Sequence, residues 1–425
     1  MRKLLCVAAL LCVHYTYAQK TILYCGKLID PKNLQVLQEM SILVQGGNVT
    51  GVEKGYVKAS SGDKVIHLEK QTVMPGLIDC HVHLENEIGP DDFVNQFKLN
   101  PQDYAFLSIG FADSTLLAGF TTVRDLGGSG VNISLRNAIN KGLVPGPRVY
   151  TAGIAIGSTG GHGDPTNGLR SDLLGDPGPK DGVVNGVDAC IKAVRMRYKE
   201  GSDVIKIMST GGVLSLEKDG TGAQLSDDEL KAIVSTAKDY GLRVACHAHG
   251  PEGIKRAIIV GVTSIEHGTY TNDECIALFK QYGTYLVPTV IAGKSVADSA
   301  KIPGFFPAVI AGKAVMVGSQ IQSTFGKAYK AGVKIAFGTD AGVYKHGKNW
   351  KEFVYMTEAG MPILEAIKAA TVNAADLIGI SDKAGAIETG KWADIIAVDG
   401  DPTTDVTTMG KVSFVMKGGV VYKSH

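Results

Sequence analysis

The sequence predicts an α/β protein, a (β/α)8 TIM barrel with a small β-sandwich domain formed from both chain ends. Through the middle of the 425-residue chain, short apolar segments rich in β-branched residues alternate with longer helical stretches. Such alternation is typical of a parallel sheet, and eight repeats are the number that closes a barrel. Both chain ends contain short strand patterns instead, which predicts a second, smaller domain.

The eight predicted barrel strands are short and are separated by helical patterns. The clearest helix spans 226–240, where Ser226 and Glu229 form a capping box and Gly241 ends the apolar stripe. The predicted strands cover residues 77–84, 121–126, 148–154, 203–208, 242–248, 263–266, 284–288 and 334–339.

The domain boundaries follow from these patterns. Residues 75–380 are assigned to the barrel, and residues 19–74 and 381–425 to the two parts of the β-sandwich domain. The terminal strand patterns lie at 21–70, 393–400 and 411–423. Because strands from the two ends can pair with each other, we expect one domain that both termini complete.

The first 18 residues have the layout of a secretory signal peptide. Arg2 and Lys3 precede an apolar run at 4–13, and the small residue Ala18 offers a cleavage site. The run is too short for a bilayer, which takes about 20 residues to cross. We therefore expect an exported protein, periplasmic or secreted, that carries no membrane segment after cleavage near Ala18.

Composition and charge narrow the partners. The formal net charge of +1 leaves no basic excess of the kind that nucleic acid attracts. The expected partner is a small-molecule substrate, and we expect a homo-oligomer. Five of the seven cysteines follow the signal peptide, widely spaced and without a CxxC pattern, so we expect buried thiols.

Two histidines close the first predicted barrel strand. His81 and His83 are two residues apart, so their imidazoles face the same side of the strand. The carboxyl ends of barrel strands are where functional groups converge. Since imidazole suits zinc, nickel, iron or cobalt better than magnesium or calcium, the pair predicts a transition-metal site.

Lys206 lies among apolar residues at the end of the fourth predicted strand. A buried lysine is costly unless it is neutralised or paired. Reaction with carbon dioxide would give a carbamate, whose two oxygens can bridge two metal ions. The alternative is a lysine whose ammonium reaches solvent at the strand end.

Further polar residues end the fifth, sixth and eighth predicted strands: His247 and His249, His267, and Asp340. Singly, each has a structural explanation, such as a core histidine or an aspartate that caps a helix. Jointly they end their strands at the same relative depth. The pattern therefore predicts that they meet at one rim of the barrel.

Several motifs resemble the amidohydrolase superfamily, and more narrowly its imidazolonepropionase-like and Xaa-Pro dipeptidase (prolidase-like) branch. The resemblance covers nearly the whole chain after the signal peptide. The motifs are PGLIDCHVH (75–83), VIKIM (204–208), CHAHG (246–250), SIEHG (264–268) and FGTDAG (337–342).

This resemblance implies a hydrolase with two divalent metal ions, zinc by default. The implied ligands are His81, His83, Lys206, His247, His267 and Asp340. By the same resemblance, an N6-carboxylated Lys206 bridges the two ions. His81 and His83 join Asp340 at the more buried ion, and His247 and His267 hold the more exposed one.

The implied chemistry is hydrolysis of an amide bond. Lys206, His267 and Asp340 are the implied catalytic residues, and Asp340 acts as general base and then general acid. Dipeptidase-like members cut the bond before a C-terminal residue, which requires a group that binds the substrate carboxylate. The candidates are His162, His249, Arg170, Tyr344 and His346, with Lys345 and Gln224 as further possibilities.

The substrate stays open at this point. Lys206 argues against the imidazolonepropionase reading, which predicts one metal ion and no bridging lysine. The first hypothesis is a dipeptidase or carboxypeptidase-like enzyme, with N-acyl amino acids such as ochratoxin-like amides as further substrates. The second is a cyclic-amide hydrolase or deaminase on the same barrel, and the third is a catalytically silent binding protein.

Four other side chains have structural interpretations. Arg124 and Asp125 are adjacent near the end of the second strand and are expected to form an internal ion pair. Trp350 and Phe353 can line a pocket but are equally suited to packing.

Overall fold

The computed structural model describes residues 19–424. The predicted signal peptide, residues 1–18, lies outside the described residues. The strands are β1 (Thr21–Asp30), β2 (Gln35–Gln45), β3 (Asn48–Lys54), β4 (Lys64–Pro75), β5 (Leu77–Val82), β6 (Phe120–Asp125), β7 (Arg148–Thr151), β8 (Gly157–Ser158), β9 (Val183–Val184), β10 (Val204–Met208), β11 (Arg243–Ala248), β12 (Ser264–His267), β13 (Tyr285–Val287), β14 (Ile395–Val398), β15 (Val412–Lys417) and β16 (Val420–Ser424).

Helices alternate with the barrel strands as predicted. They are α1 (Asp92–Lys98), α2 (Pro101–Leu117), α3 (Val131–Asn140), α4 (Ser171–Leu174), α5 (Val187–Glu200), α6 (Asp227–Asp239), α7 (Pro251–Val260), α8 (Asp273–Tyr282), α9 (Val290–Ser299), α10 (Ala308–Lys330), α11 (Lys351–Glu358), α12 (Ile363–Lys368) and α13 (Ala374–Ile378). Short 3-10 turns lie at Pro179–Asp181 and Val406–Gly410, and a π turn at Ala369–Asn373.

Helix α6 shows how local sequence decides an element. The Ser226 hydroxyl accepts a hydrogen bond from the Glu229 backbone, and the Glu229 carboxylate accepts one from the Ser226 backbone at 2.9 Å. This capping box satisfies two donors that a helix start would otherwise leave unpaired. Leu230, Ile233 and Ala237 are fully buried on one face. The cap and the apolar stripe together place this helix against the barrel.

The barrel strands form two parallel arrays, β5-β6-β7 and β10-β11-β12-β13. Backbone hydrogen bonds bridge the gap between the arrays at β7 and β10, where the Asp203 amide donates to the Thr151 carbonyl at 2.8 Å. Residues 334–341 bridge the second gap, between β13 and β5. The predicted (β/α)8 arrangement is therefore confirmed as the fold of the central region.

The eighth predicted strand, 334–339, is not a regular strand. It contributes one isolated bridge, Leu286 with Ile335, and a second bridge, Val82 with Ala341, follows just after it. Between them, the Phe337 amide donates at 3.0 Å to the carbonyl of Ala369, which lies outside the barrel sheet. That hydrogen bond interrupts the ladder, so the prediction of a continuous strand was wrong although the segment occupies the eighth position.

The Asp79 carboxylate stabilises the seam of the barrel, which is the junction between β5 and residues 334–341. One oxygen accepts hydrogen bonds from the backbone amides of His81 and Thr339, each at 3.1 Å. The other accepts from the Thr339 hydroxyl at 2.6 Å and from the Asn349 amide at 2.8 Å. Burial raises the pKa of Asp79 to about 7, despite these four donors. The seam joins the segments that carry His81 and Asp340.

Both chain ends build one seven-stranded sheet, in the order β16-β15-β14-β4-β1-β2-β3. The central strand β4 pairs parallel with β1 and antiparallel with β14. Leu23, Ile42, Ile395 and Phe414 are buried in one cluster, so both ends share a core. The Val49 amide on edge strand β3 donates to the Lys391 carbonyl, which curls the sheet back onto itself.

The cysteines behave as the sequence predicts. Cys25, Cys80, Cys190, Cys246 and Cys275 are buried and free of disulfide bonds. Burial raises the pKa of the Cys25 and Cys246 thiols to about 12, so both are protonated at neutral pH. Among residues 19–424, none of the helices combines the length and apolar character needed to cross a membrane.

The seam generates a stability prediction. Phe337 is fully buried and stacks between Phe120 and Phe353, with ring centroids 5.7 and 4.4 Å apart. Phe337→Ala should lower the free energy of unfolding by about 3–5 kcal/mol, because it leaves a cavity among three rings. Urea denaturation followed by tryptophan fluorescence measures the loss.

The matched control is Phe106→Ala on α2, where the ring is 74% exposed. That change should stay within about 0.5 kcal/mol of the parent protein. Similar losses for the two variants would contradict the packing role of Phe337.

Candidate metal centre

The carboxyl ends of the barrel strands surround a cavity of about 250 Å³. Its polar lining comes from separate strands and loops, which the (β/α)8 arrangement brings to one rim. The titratable side chains that line it are His81, His83, His162, Lys206, His247, His249, His267 and Asp340. All six residues that the family resemblance implies as metal ligands are therefore in one place.

His81 and His83 point the same nitrogen atom at Asp340. Their Nδ1 atoms are engaged elsewhere, with the Glu266 carboxylate at 2.9 Å and with the Gly127 carbonyl at 2.8 Å. Their Nε2 atoms lie 3.5 and 3.1 Å from Oδ1 of Asp340. This geometry leaves two imidazole nitrogens and a carboxylate oxygen converging on one point.

Asp340 Oδ1 is buried and accepts no hydrogen bond from the described residues. Burial raises the pKa of this carboxyl, but His81, His83 and Lys206 outweigh that effect and hold it below its usual value. An ionised oxygen without a donor is costly in a protein interior. Ligand atoms of His81, His267 and Asp340 lie within 4.8 Å of one another, which is close enough for metal binding.

The histidines at the ends of β11 and β12 each turn one nitrogen toward the cavity. His247 Nε2 donates to the Gly211 carbonyl at 3.1 Å, which leaves Nδ1 available. His267 Nδ1 bonds the Thr289 hydroxyl at 2.7 Å, and His249 Nδ1 bonds the Thr269 hydroxyl at 2.8 Å. The rings of His247 and His249 lie 4.8 and 5.1 Å from the His267 ring.

Lys206 is buried at the end of β10 and lines the same cavity. Its ammonium makes no hydrogen bond or close ion pair with any described residue. Burial lowers its pKa, which favours the neutral amine. A neutral amine is the nucleophile that forms a carbamate with carbon dioxide, and ionised carbamate and imidazole donors fit divalent metal ions such as zinc.

Backbone strain concentrates at this site. His267, Thr289 and Asp340 have φ values of +70°, +49° and +59°, in the left-handed region that non-glycine residues seldom adopt. Each end of a barrel strand is thereby turned so that its side chain faces the cavity. Such strain persists only where the surroundings hold it, and it clusters at functional sites.

Glu266 is a site residue that the sequence analysis missed. It precedes His267 on β12 and is fully buried. Its carboxylate contacts Arg124 at 2.8 Å and the His81 ring at 2.9 Å. Burial alone would raise the pKa of Glu266, but Arg124 and His81 hold it at about 2. A glutamate within a buried strand, next to a histidine, is the signal that could have found it.

The expected ion pair between Arg124 and Asp125 is wrong. Neighbouring residues on a strand face opposite sides, so the two side chains diverge. Arg124 turns into the barrel and donates to Glu266, Ser264 and the Cys80 carbonyl. Asp125 instead accepts hydrogen bonds from the Leu84 amide and the Asn132 side chain.

The predicted substrate-binding residues divide into two groups. His162 and His249 line the cavity, and Gln224 stands behind it, accepting a hydrogen bond from the His162 amide at 2.9 Å. Arg170 is exposed and pairs with Asp172 at 2.6 Å. These positions leave His162 and His249 as the candidates that can touch a bound molecule.

The candidates after the eighth strand position lie away from the cavity lining. His346 is buried against Phe111, with ring centroids 5.0 Å apart. Tyr344 has its hydroxyl enclosed by protein, and Lys345 is exposed. Phe353 stacks on Phe337 in the core, which confirms packing as its role.

One wall of the cavity is apolar. It is formed by the loop after β10, the helices α9 and α10, and the segment after Asp340. Its side chains include Val213, Leu214, Val296, Val317, Ile321 and Val343. Among the described lining residues, Lys206 is the sole lysine or arginine. The cavity thus pairs a histidine-rich floor with a hydrophobic side.

Comparison with known proteins agrees with this geometry. The profile of the Amidohydrolase family matches residues 72–422. Ochratoxinase of Aspergillus niger is 33% identical over 435 residues, covering 96% of this chain and 87% of that protein. Imidazolonepropionase of Streptococcus sanguinis is 25% identical over 394 residues, covering 87% and 86% of the two chains.

Solved structures give the same result. A Xaa-Pro dipeptidase with methionine bound in its active site has a TM-score of 0.93 and 50% identity, covering 96% of this chain and all of that one (100%). A prolidase complexed with N-methylphosphonate-L-proline has a TM-score of 0.87 and 32% identity, with coverages of 96% and 100%. The predicted resemblance is confirmed, and the chain is a hydrolase that belongs to the amidohydrolase family.

Proposed function

We propose that the protein is an exported, binuclear metal-dependent hydrolase that cleaves an amide or peptide bond next to a C-terminal amino acid. The observation that carries this proposal is the single cavity lined by four implied histidine ligands, Lys206 and Asp340. Export rests on the signal-peptide pattern at 1–18. Peptide and amide bonds are supported by the dipeptidase, prolidase and ochratoxinase relatives.

Two sets of side chains would hold the two metal ions. His81 and His83 with Asp340 form one set, and His247 with His267 forms the other. A carboxylated Lys206 would be shared by both sets. Bound divalent ions would lower the pKa of an attacking water and polarise the scissile carbonyl, which is the chemistry that amide hydrolysis needs.

Asp340 handles the proton. Its Oδ1 is directed at His81 and His83 as a ligand oxygen, so Oδ2 of the same carboxylate would accept the proton of the attacking water. It then passes that proton to the departing nitrogen, because an amide anion is a very poor leaving group. Glu266 keeps His81 oriented throughout by accepting from its Nδ1.

The substrate we propose is a dipeptide or N-acyl amino acid with an apolar group beside the scissile bond. The side chains of α9 and α10 that line the cavity offer such a group an apolar surface. His162 and His249 are the side chains available to the polar end of the substrate.

A cyclic-amide hydrolase of the imidazolonepropionase type is the second candidate, because one such enzyme is 25% identical to the chain. Lys206 in the cavity favours the first candidate, since a bridging carbamate belongs to a site with two metal ions. The deciding experiment combines metal analysis of the purified mature protein with a library of dipeptides, N-acyl amino acids and cyclic amides.

Two metal ions per chain, with cleavage of Xaa-Pro or Xaa-Phe bonds, is the expected result of that experiment. Turnover of ring substrates alone would replace the first candidate with the second. A protein that holds no metal and cleaves nothing would remove both.

Lys206→Ala should lose most of the bound metal and nearly all activity, because the shared anionic ligand is gone. Adding a short-chain carboxylic acid, such as acetate or propionate, should restore part of the activity by supplying the missing oxygens. Metal analysis and an acid titration of the rate measure both effects. Lys192→Ala, at an exposed position of α5, is the control and should change neither. Full metal content in Lys206→Ala would exclude the bridging role.

Asp340→Asn should lower kcat by roughly 100- to 10,000-fold, because the amide cannot take up the proton of the attacking water. Its oxygen can still ligate, so metal content should fall far less than kcat. Steady-state kinetics and metal analysis on the same preparation separate the two effects. Asp239→Asn, at the exposed end of α6, is the control. Unchanged kcat for Asp340→Asn would show that another group moves the proton.

A further inference from the structure

The loop between β10 and α6, residues 209–226, covers one side of the cavity and is fastened from outside. Three of its carbonyls, those of Gly212, Ser215 and Glu217, accept hydrogen bonds from the Lys313 ammonium at 2.7, 2.8 and 2.9 Å. Lys313 lies on α10, the helix that also supplies Val317 to the apolar wall. One ammonium therefore holds this loop in a single position relative to the cavity.

The same loop hydrogen-bonds the Nδ1 atom of the His162 ring. His162 Nδ1 lies 2.6 Å from the Ser215 hydroxyl. That hydroxyl lies 2.5 Å from Oε1 of Glu217, which also accepts from the Gly212 amide at 2.9 Å. Three side chains thus form a continuous line, Glu217 to Ser215 to His162.

The proton positions along this line follow from which of the three side chains can donate a hydrogen bond and which can only accept one. Burial raises the pKa of Glu217, but the hydrogen bonds from Ser215 and Gly212 outweigh it, so the carboxylate is ionised and only accepts. Ser215 has one hydroxyl proton, which it donates in a hydrogen bond to the Glu217 carboxylate. It can then only accept from the ring, which places a proton on His162 Nδ1.

The two faces of the ring are also fixed. A side-chain atom on Gly212 would stand 2.2 to 2.4 Å from three atoms of the ring, so one face lies directly on the backbone of Gly212. The other neighbour is the His247 ring, with centroids 4.4 Å apart. Within residues 19–424, Nε2 of His162 makes no hydrogen bond, and it is the ring atom left for a molecule in the cavity.

We propose that Glu217 and Ser215 are positioning residues, which hold His162 in the tautomer with the proton on Nδ1 and direct Nε2 at the substrate. The tautomer and the orientation depend on the loop alone. The effect on turnover rests on the proposed function, in which His162 touches the substrate. Gly212 is required because any larger residue would displace the ring.

A spectroscopic experiment tests the tautomer without a substrate. Nitrogen-15 histidine spectra of the mature protein should show a protonated Nδ1 for the signal that disappears in His162→Asn. In Glu217→Gln and Ser215→Ala that signal should shift toward a mixture of tautomers. Glu358→Gln, an exposed change on α11, should leave it unchanged. A proton on Nε2 in the parent protein, or no shift in both variants, would overturn the proposal.

Kinetics test the positioning. Glu217→Gln and Ser215→Ala should each lower kcat/KM for the best library substrate by roughly 10- to 100-fold, as displaced catalytic-site groups do. In a His162→Asn background, Glu217→Gln should cause no further loss, because both changes act through the same ring. Fully additive losses would overturn the proposal. An enzyme that cleaves nothing in the library refutes the proposed function, while the spectra still decide the tautomer.

Discussion

The candidate metal centre depends on the seam between β5 and residues 334–341. Asp79 accepts four hydrogen bonds there, from the His81 and Thr339 amides, the Thr339 hydroxyl and the Asn349 side chain. His81 lies on one side of this seam, in β5, and Asp340 lies on the other side, in residues 334–341. The distance of 3.5 Å between His81 Nε2 and Asp340 Oδ1 therefore depends on how the two segments pair and not on either segment alone. The parallel strands bring the remaining candidate ligands to the same rim.

Concentrating so many ionisable groups in one interior is costly, and the structure offsets the cost group by group. The Arg124 guanidinium neutralises Glu266, which in turn holds His81. Burial lowers the pKa of His81 to about 4, so the ring stays neutral and able to donate its lone pair to a metal. Each imidazole has one nitrogen engaged by a carbonyl, hydroxyl or carboxylate, which fixes the orientation of the other.

Much of this arrangement could be predicted from local patterns. The spacing of His81 and His83 and the strand-end positions of Lys206, His267 and Asp340 indicate the site without coordinates. The capping box at Ser226 and Glu229 marks a helix start within one residue. These features depend on short sequence distances, where periodicity and residue chemistry are informative.

What escaped prediction depends on contacts between distant segments. Glu266 meets Arg124 across 142 residues of chain, and Lys313 reaches its three carbonyls across about 100. No periodicity records such contacts. The eighth strand was overpredicted because the Phe337 amide turns to Ala369, and Arg170 was placed in the site on charge alone. The ion pair expected between Arg124 and Asp125 does not form because neighbouring side chains on a strand point to opposite sides.

The terminal sheet has a consequence for how the chain matures. Its central strand β4 is made early, yet its neighbour β14 begins only at Ile395, after the whole barrel has been synthesised. One edge of β4 therefore stays without its native neighbour until the last few dozen residues emerge. A chain that has not yet reached β14 lacks this pairing, so the terminal sheet is completed only after the barrel segment has been synthesised.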